Sequence, residues 1–281
     1  MTKKRSQTAF ELTVDKMVNV ALVSGAPPQI RGIAFSGPMA RAVARGEKTQ
    51  TRRILKMEPW IAKLGGDLSK KAWPDKAFGV TPCLKIQCAD GTVQRNRNPW
   101  GWPNEGGTLL YVREAWRADR KYDHLPPSKI KGGGIWYEAD DDFARSRKLP
   151  GRYRHARFMP RRFSRTWLRI IDVRAERVQA ISDADIAAEG VTADAVRALW
   201  EGATRKQRLE LVTDAYTVLM VPEGTIQIVA PSDGRTPALR PATPRDYWRI
   251  GWTLINGAES WSDDGWVWVV EFERAARPED T

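Results

Sequence analysis

The run Trp266-Val-Trp-Val-Val-Glu-Phe-Glu273 constrains the fold more than any other segment. Successive residues of an extended chain point to opposite faces, so Trp266, Trp268, Val270 and Phe272 share one side. A side that apolar must lie against a core, which makes this run a strand of a packed sheet. Further strands are predicted at 30–36, 107–116, 135–138 and 165–174. In the last of these, Thr166, Leu168 and Ile170 fall on one face, and Trp167, Arg169 and Ile171 on the other. Helical signals lie between the strands. Ser36-Gly37-Pro38 opens a helix over 38–45, with Met39, Ala42 and Val43 on its apolar face and Gly46 as its stop. Ser182-Asp-Ala-Asp185 opens another, closed by Glu189-Gly190. Residues 193–220 read as mostly helical, and Tyr247-Trp248 and Trp252 begin a helical piece ending near Asn256-Gly257. Strands dispersed among helices predict an α+β fold.

The remaining segments lack such periodicity. Residues 1–29 read as an appendage, with Phe10, Val14, Met17, Val18 and Leu22 at helical spacing. The main domain is expected over 30–275, with insertions near 58–106, 117–160 and 193–245. Of these, 58–106 is rich in Gly, Pro, Trp and Lys, 117–134 reads as a loop, and the prolines of 222–244 suggest a loop or second insertion.

The formal net charge is +12, which fits an anionic partner, nucleic acid being the commonest. Residues 145–169 concentrate this charge: ten are Arg or Lys and none is Asp or Glu. Tyr153, Phe158, Phe163 and Trp167 are interleaved, as phosphate contact combined with base stacking would need, or as a strand entering a core would. Cys83, Cys88, His124 and His155 lack the spacing of a zinc site, so neither metal nor cofactor is expected. No apolar run approaches the roughly 18 residues of a membrane span, and no signal peptide is read, so a cytoplasmic location is expected.

Three pieces in order carry a resemblance: Gly46-Glu-Lys48-Thr-Gln-Thr51-Arg-Arg53; the strand Ile170-Ile-Asp-Val followed by Ser182-Asp-Ala-Asp-Ile-Ala-Ala-Glu189-Gly190; and the terminal Trp266–Phe272 strand. Together they resemble the ASCH superfamily, whose fold is a small PUA-like β-barrel. The stretches Phe35-Ser-Gly-Pro-Met39, Leu110-Tyr-Val-Arg-Glu-Ala-Trp116 and Phe158-Met-Pro-Arg161 look like the longer version common in bacteriophage and prophage genomes. The matching pieces span 30–56, 107–116, 158–192 and 246–273, under half the chain.

The resemblance implies binding of RNA, DNA or a modified nucleoside in a basic cleft. Arg52, Arg53, Arg113, Arg161, Arg162 and Arg165 are the candidate binding residues. One branch of the superfamily is similar to bacterial acetylcytidine amidohydrolase, and its catalytic Lys, Thr and Glu map onto Lys48, Thr51 and Glu189. A ribonuclease is a further alternative. Amide hydrolysis needs a nucleophile, a base and an acid for the leaving amine, which these residue types supply. Arg52 or Arg53 would stabilise an oxyanion. Lys48 works as a base only if neutral; nearby arginines favour that form, whereas its place after a helix C-terminus opposes it. The same layout also arises if Glu189 merely pairs with an arginine such as Arg53.

Overall fold

A computed structural model describes residues 29–55, 83–87, 93–97, 108–140, 150–211, 217–220, 226–232 and 235–278. The expected helix between Phe10 and Leu22 lies outside them, as do Cys88 and most of the 58–106 insertion. In chain order the elements are β1 (Gln29–Ala34), α1 (Gly37–Arg45), β2 (Gln50–Ile54), β3 (Cys83–Gln87), β4 (Val93–Arg97), β5 (Thr108–Arg113), β6 (Trp116–Ala118), β7 (Ile135–Tyr137) and β8 (Trp167–Arg177). There follow α2 (Asp183–Ala188), α3 (Ala193–Gly202), α4 (Arg205–Leu209), β9 (Thr217–Met220), β10 (Ile226–Ser232), β11 (Arg235–Pro241), α5 (Pro244–Asn256), α6 (Glu259–Ser262) and β12 (Trp266–Ala275). The class is α+β.

The main sheet has the order β1-β5-β8-β12-β2. The β1–β5 pair is parallel and the other pairs are antiparallel. β12 lies next to the edge strand β2 and is buried on both faces. Trp268, Val270 and Phe272 join Ile33, Phe35, Leu110, Val112, Leu168 and Ile170 in the inner core. Val267 and Val269 pack outward against Trp248 and Trp252 of α5. β8 carries a bulge: Ile170 pairs with Phe272 and Asp172 with Glu271, so Ile171 has no partner. The extra residue shifts the alternation by one. Ile170 and Val173 therefore both face the core, while Ile171 is exposed.

Among the described residues the sheet does not close into a hydrogen-bonded barrel; β1 and β2 are its edges. A side chain spans the gap: Arg53 of β2 donates through Nη2 to the Ala34 carbonyl at the end of β1, at 2.7 Å. Its guanidinium lies 5.3 Å from the Phe35 ring centroid.

All three insertions hold more order than their composition predicts. Within 193–245, β9, β10 and β11 form a separate antiparallel sheet. The prolines of 222–244 are accommodated rather than excluded: Pro231 sits at the register shift between Ala230 and Ser232, and Pro237 lies on the edge strand β11. Both are places where a missing N–H breaks no ladder. Val218, Ile226 and Ile228 of this sheet pack with Val196 of α3 and Ile250 and Leu254 of α5. In 58–106, β3 and β4 form an antiparallel pair. The expected loop after residue 116 contains β6, which pairs with β7 over a small core of Trp116, Ile130, Met159 and Phe163. No helix among the described residues is long and apolar enough to cross a membrane.

Candidate functional site

α1 ends at Gly46, whose φ of 77° is left-handed and suits glycine. The amides of Glu47 and Lys48 both return to the Ala42 carbonyl, at 2.9 and 3.2 Å. This tight turn directs Lys48 toward α2. There the Ser182 hydroxyl accepts from the Asp185 amide, and Glu189 follows as the helix ends. Gly190 has a φ of 68°, and a Cβ placed on it would lie 3.1 Å from the Lys48 Cβ. Glycine at 190 thus provides the turn after Glu189 and the space for Lys48.

The two segments are joined side by side. Thr49 N donates to the Ala188 carbonyl at 2.8 Å. Lys48 Nζ donates to the Glu189 carbonyl at 2.7 Å and to Glu189 Oε2 at 2.5 Å, across 141 residues of chain. Gln50 Nε2 donates to the Asp185 carbonyl and carboxylate, at 2.7 and 3.0 Å. Arg52 completes the row, donating to Glu189 Oε1 at 3.3 Å, Glu176 at 2.8 Å and Asp185 at 3.1 Å. Of the three residues expected to act together, Lys48 and Glu189 meet, and Thr51 is not brought to them.

Thr51 and Arg53 project from the other face of β2. Their partners on β12 are Val270 and Trp268, both in the inner core. Lys48 Nζ lies 5.9 Å from the Phe35 ring centroid, the ring that Arg53 also overlies. Phe35 is therefore common ground for the Lys48 ammonium and the Arg53 guanidinium. Lys48, Thr51 and Glu189 are only 2%, 3% and 5% exposed.

The charges do not balance evenly. Arg52 has carboxylates from Glu176, Asp185 and Glu189 around it. Lys48 also depends on Glu189, and Arg53 feels the same carboxylate. Burial lowers the Lys48 ammonium below its usual 10.5; Glu189 opposes this, and Arg53 and Arg52 reinforce it. Burial likewise lowers Arg53. The question left open by the helix terminus is thus decided by desolvation. Arg53 Nε is buried without a hydrogen-bond partner, which leaves one donor of the guanidinium uncommitted.

The other candidate arginines have different surroundings. Arg113 donates to the carbonyls of Arg157 and Gly32. Arg162 gathers the carbonyls of Pro127, Ser128 and Ile130. Arg165 grips Glu114 with two bonds of 2.8 Å and also reaches Asp140. Arg161 lies 5.4 Å from the Trp167 ring centroid. The partners of Arg113, Arg162 and Arg165 all lie outside the Lys48–Glu189 cluster.

Sequence reasoning missed Gln50, Asp185 and Glu176. A signal existed for the first: Lys48, Gln50 and Arg52 alternate, so an extended chain puts them on one face. Glu176 and Asp185 carried no local mark, because their partner lies more than 120 residues away. Among the described residues no group of His, Cys, Asp and Glu could hold a metal ion. No protein-family model, curated protein or solved structure matches the chain.

Proposed function

We propose that this chain is an ASCH-type protein of PUA-like ancestry that handles a modified nucleoside, free or within a nucleic acid, and hydrolyses an acyl group from the N4 amine of cytidine. The observation that carries the reading is the buried contact between Lys48 Nζ and Glu189 Oε2, with Arg53 nearby and the Lys48 ammonium destabilised by burial. The sheet, curled until Arg53 links its two edges, is compatible with a PUA-like barrel that has opened at one seam.

In this reading the Thr51 hydroxyl, on the opposite face of β2 from the Lys48–Glu189 pair, turns toward a neutral Lys48 when substrate binds and gives up its proton to it. Thr51 Oγ1 attacks the acyl carbon, and Arg53 steadies the oxyanion that develops. The carbon–N4 bond then breaks, and the amine leaves with the proton carried by Lys48, relayed through Glu189. Water next attacks the acyl-threonine ester, returning the hydroxyl and releasing the carboxylic acid. The net reaction is amide plus water to acid plus amine. Arg52 acts through Glu189: its hydrogen bond to Oε1 leaves Oε2 facing Lys48.

The test is release of acetate from N4-acetylcytidine, alone and within an RNA strand. Turnover by wild type that Lys48→Met, Thr51→Ala and Glu189→Gln each abolish supports the reading. Binding of the acylated base without turnover reduces it to recognition alone, and neither binding nor turnover overturns both.

A further inference from the structure

The described part of the basic stretch, residues 150–169, divides into anchors and exposed groups, and the division is not the one its composition suggests. Phe163 lies in a core and Trp167 is buried, leaving Tyr153 and Phe158, 53% and 52% exposed, in solvent. The segment between them is held from below. Trp116 and Arg154 exchange backbone hydrogen bonds, and the Arg154 side chain donates to the carbonyls of Leu125 and Tyr122, at 3.2 and 2.9 Å. The Arg152 amide donates to Asp123 at 2.8 Å. His155 is spent on the local turn, accepting from the Arg157 amide through Nδ1. Ala156 and Met159 are buried.

What remains above these anchors is an alternation of rings and cations. The Arg157 guanidinium lies 4.8 Å from the Phe158 ring centroid. That of Arg117 lies 6.0 Å from the Tyr153 ring centroid. The neighbouring acids are committed: Asp123 to the Arg152 amide, Glu138 to Arg117, and Asp140 to Arg165. The Arg152 and Arg157 side chains form no ion pair among the described residues.

We propose that residues 152–158 form a docking strip for single-stranded nucleic acid, with bases stacking on Tyr153 and Phe158 and phosphates meeting Arg152 and Arg157. Exposed rings beside guanidinium groups suit bases whose faces are open, and stacking of this kind tolerates any base. A duplex keeps its base faces inside and would leave both rings in water. An acidic peptide would use the cations and leave the rings idle. The strip does not depend on hydrolysis at Lys48, and its binding is measured without turnover.

The experiment uses the full chain and fluorescence anisotropy with a labelled 12-nucleotide RNA, the same sequence as DNA, and the corresponding duplex. Single strands bind, and the duplex binds at least tenfold more weakly. A preference for RNA or for DNA identifies the strand, and either supports the strip. Tyr153→Leu and Phe158→Leu keep apolar bulk without the ring face, and each weakens single-strand binding by about tenfold. Arg152→Gln with Arg157→Gln reduces the slope of log affinity against log salt by roughly 1.4, the share of two single-strand phosphates. All four positions are exposed, so these variants keep the fold, checked by an unchanged melting temperature. Leucine variants that bind like wild type, a duplex bound as tightly as a single strand, polyglutamate bound equally well, or no binding at low salt would each overturn the proposal.

Discussion

Lys48 brings an ammonium into a region where burial works against it, and this has a measurable consequence. Its folded proton affinity is lowered below the usual 10.5, with desolvation the largest cause. Between the lowered value and 10.5, the unfolded chain holds a proton that the folded chain has released. Stability must therefore rise with pH across that window. Wild type should gain on Lys48→Met as pH increases through it, measured by urea unfolding at a series of pH values. The kcat/KM for an acylated cytidine should rise over the same range and level off below 10.5. A stability difference flat with pH would show that the lysine is as proton-loving when folded as when unfolded.

Glu189 distinguishes a working pair from a structural one. Removing one partner of a buried ion pair strands the other charge, and Glu189→Leu is expected to cost about 3–5 kcal/mol. The double variant Lys48→Met/Glu189→Leu strands neither, and is expected to recover most of that loss in thermal unfolding. A purely structural pair would let this rescued protein keep any activity that wild type has; a catalytic pair would leave it stable and inactive. Only the resemblance links Lys48 with Glu189 in the sequence, since no spacing rule joins residues 141 apart. The destinations of Arg162 and Arg165 were not legible at all. Their carbonyl and carboxylate partners come from 114 to 140, and nothing in a run of arginines says which will be spent holding the fold.

Elements whose signals are local are legible in the sequence. Pro38 and Gly46 bracket α1, Ser182 caps α2, and the alternation in 266–273 identifies β12. The bulge at Ile171 was hidden because one extra residue leaves the strand's composition unchanged while reversing the face of all that follows. The hairpin of β10 and β11 was hidden by prolines that signal a break in a central strand but are tolerated at bulges and edges. Gly190 belongs to this scale because it ends α2 and fits against Lys48. Gly190→Ala forces a left-handed alanine and a close Cβ contact, at an expected cost of roughly 1–3 kcal/mol in chemical unfolding. The variant should also lose hydrolytic activity beyond what its unfolded fraction explains, since the Lys48 side chain must shift.

For the whole molecule, the distinctive feature is a curled sheet whose two edges meet through a side chain instead of a ladder. Charge-assisted hydrogen bonds contribute about 1.5–3 kcal/mol. Arg53→Met therefore destabilises by that order and exposes the Ala34 carbonyl at the seam. Hydrogen exchange should report this as faster exchange in β1 and β2, with β8 and β12 unchanged. Equal protection in the variant would mean that backbone pairing, not Arg53, holds the edges. The expected barrel could not be read to this level, because closure depends on how far the strands curl, and that is set by contacts between β1 and β2 rather than by either strand's own pattern.

The most direct measurement is single-turnover acetate release from N4-acetylcytidine by wild type and by Lys48→Met/Glu189→Leu, both confirmed folded at the assay temperature. Release by wild type and none by the double variant is the expected result. Release at the same rate from both would show that the buried lysine and carboxylate hold the chain together and take no part in the chemistry.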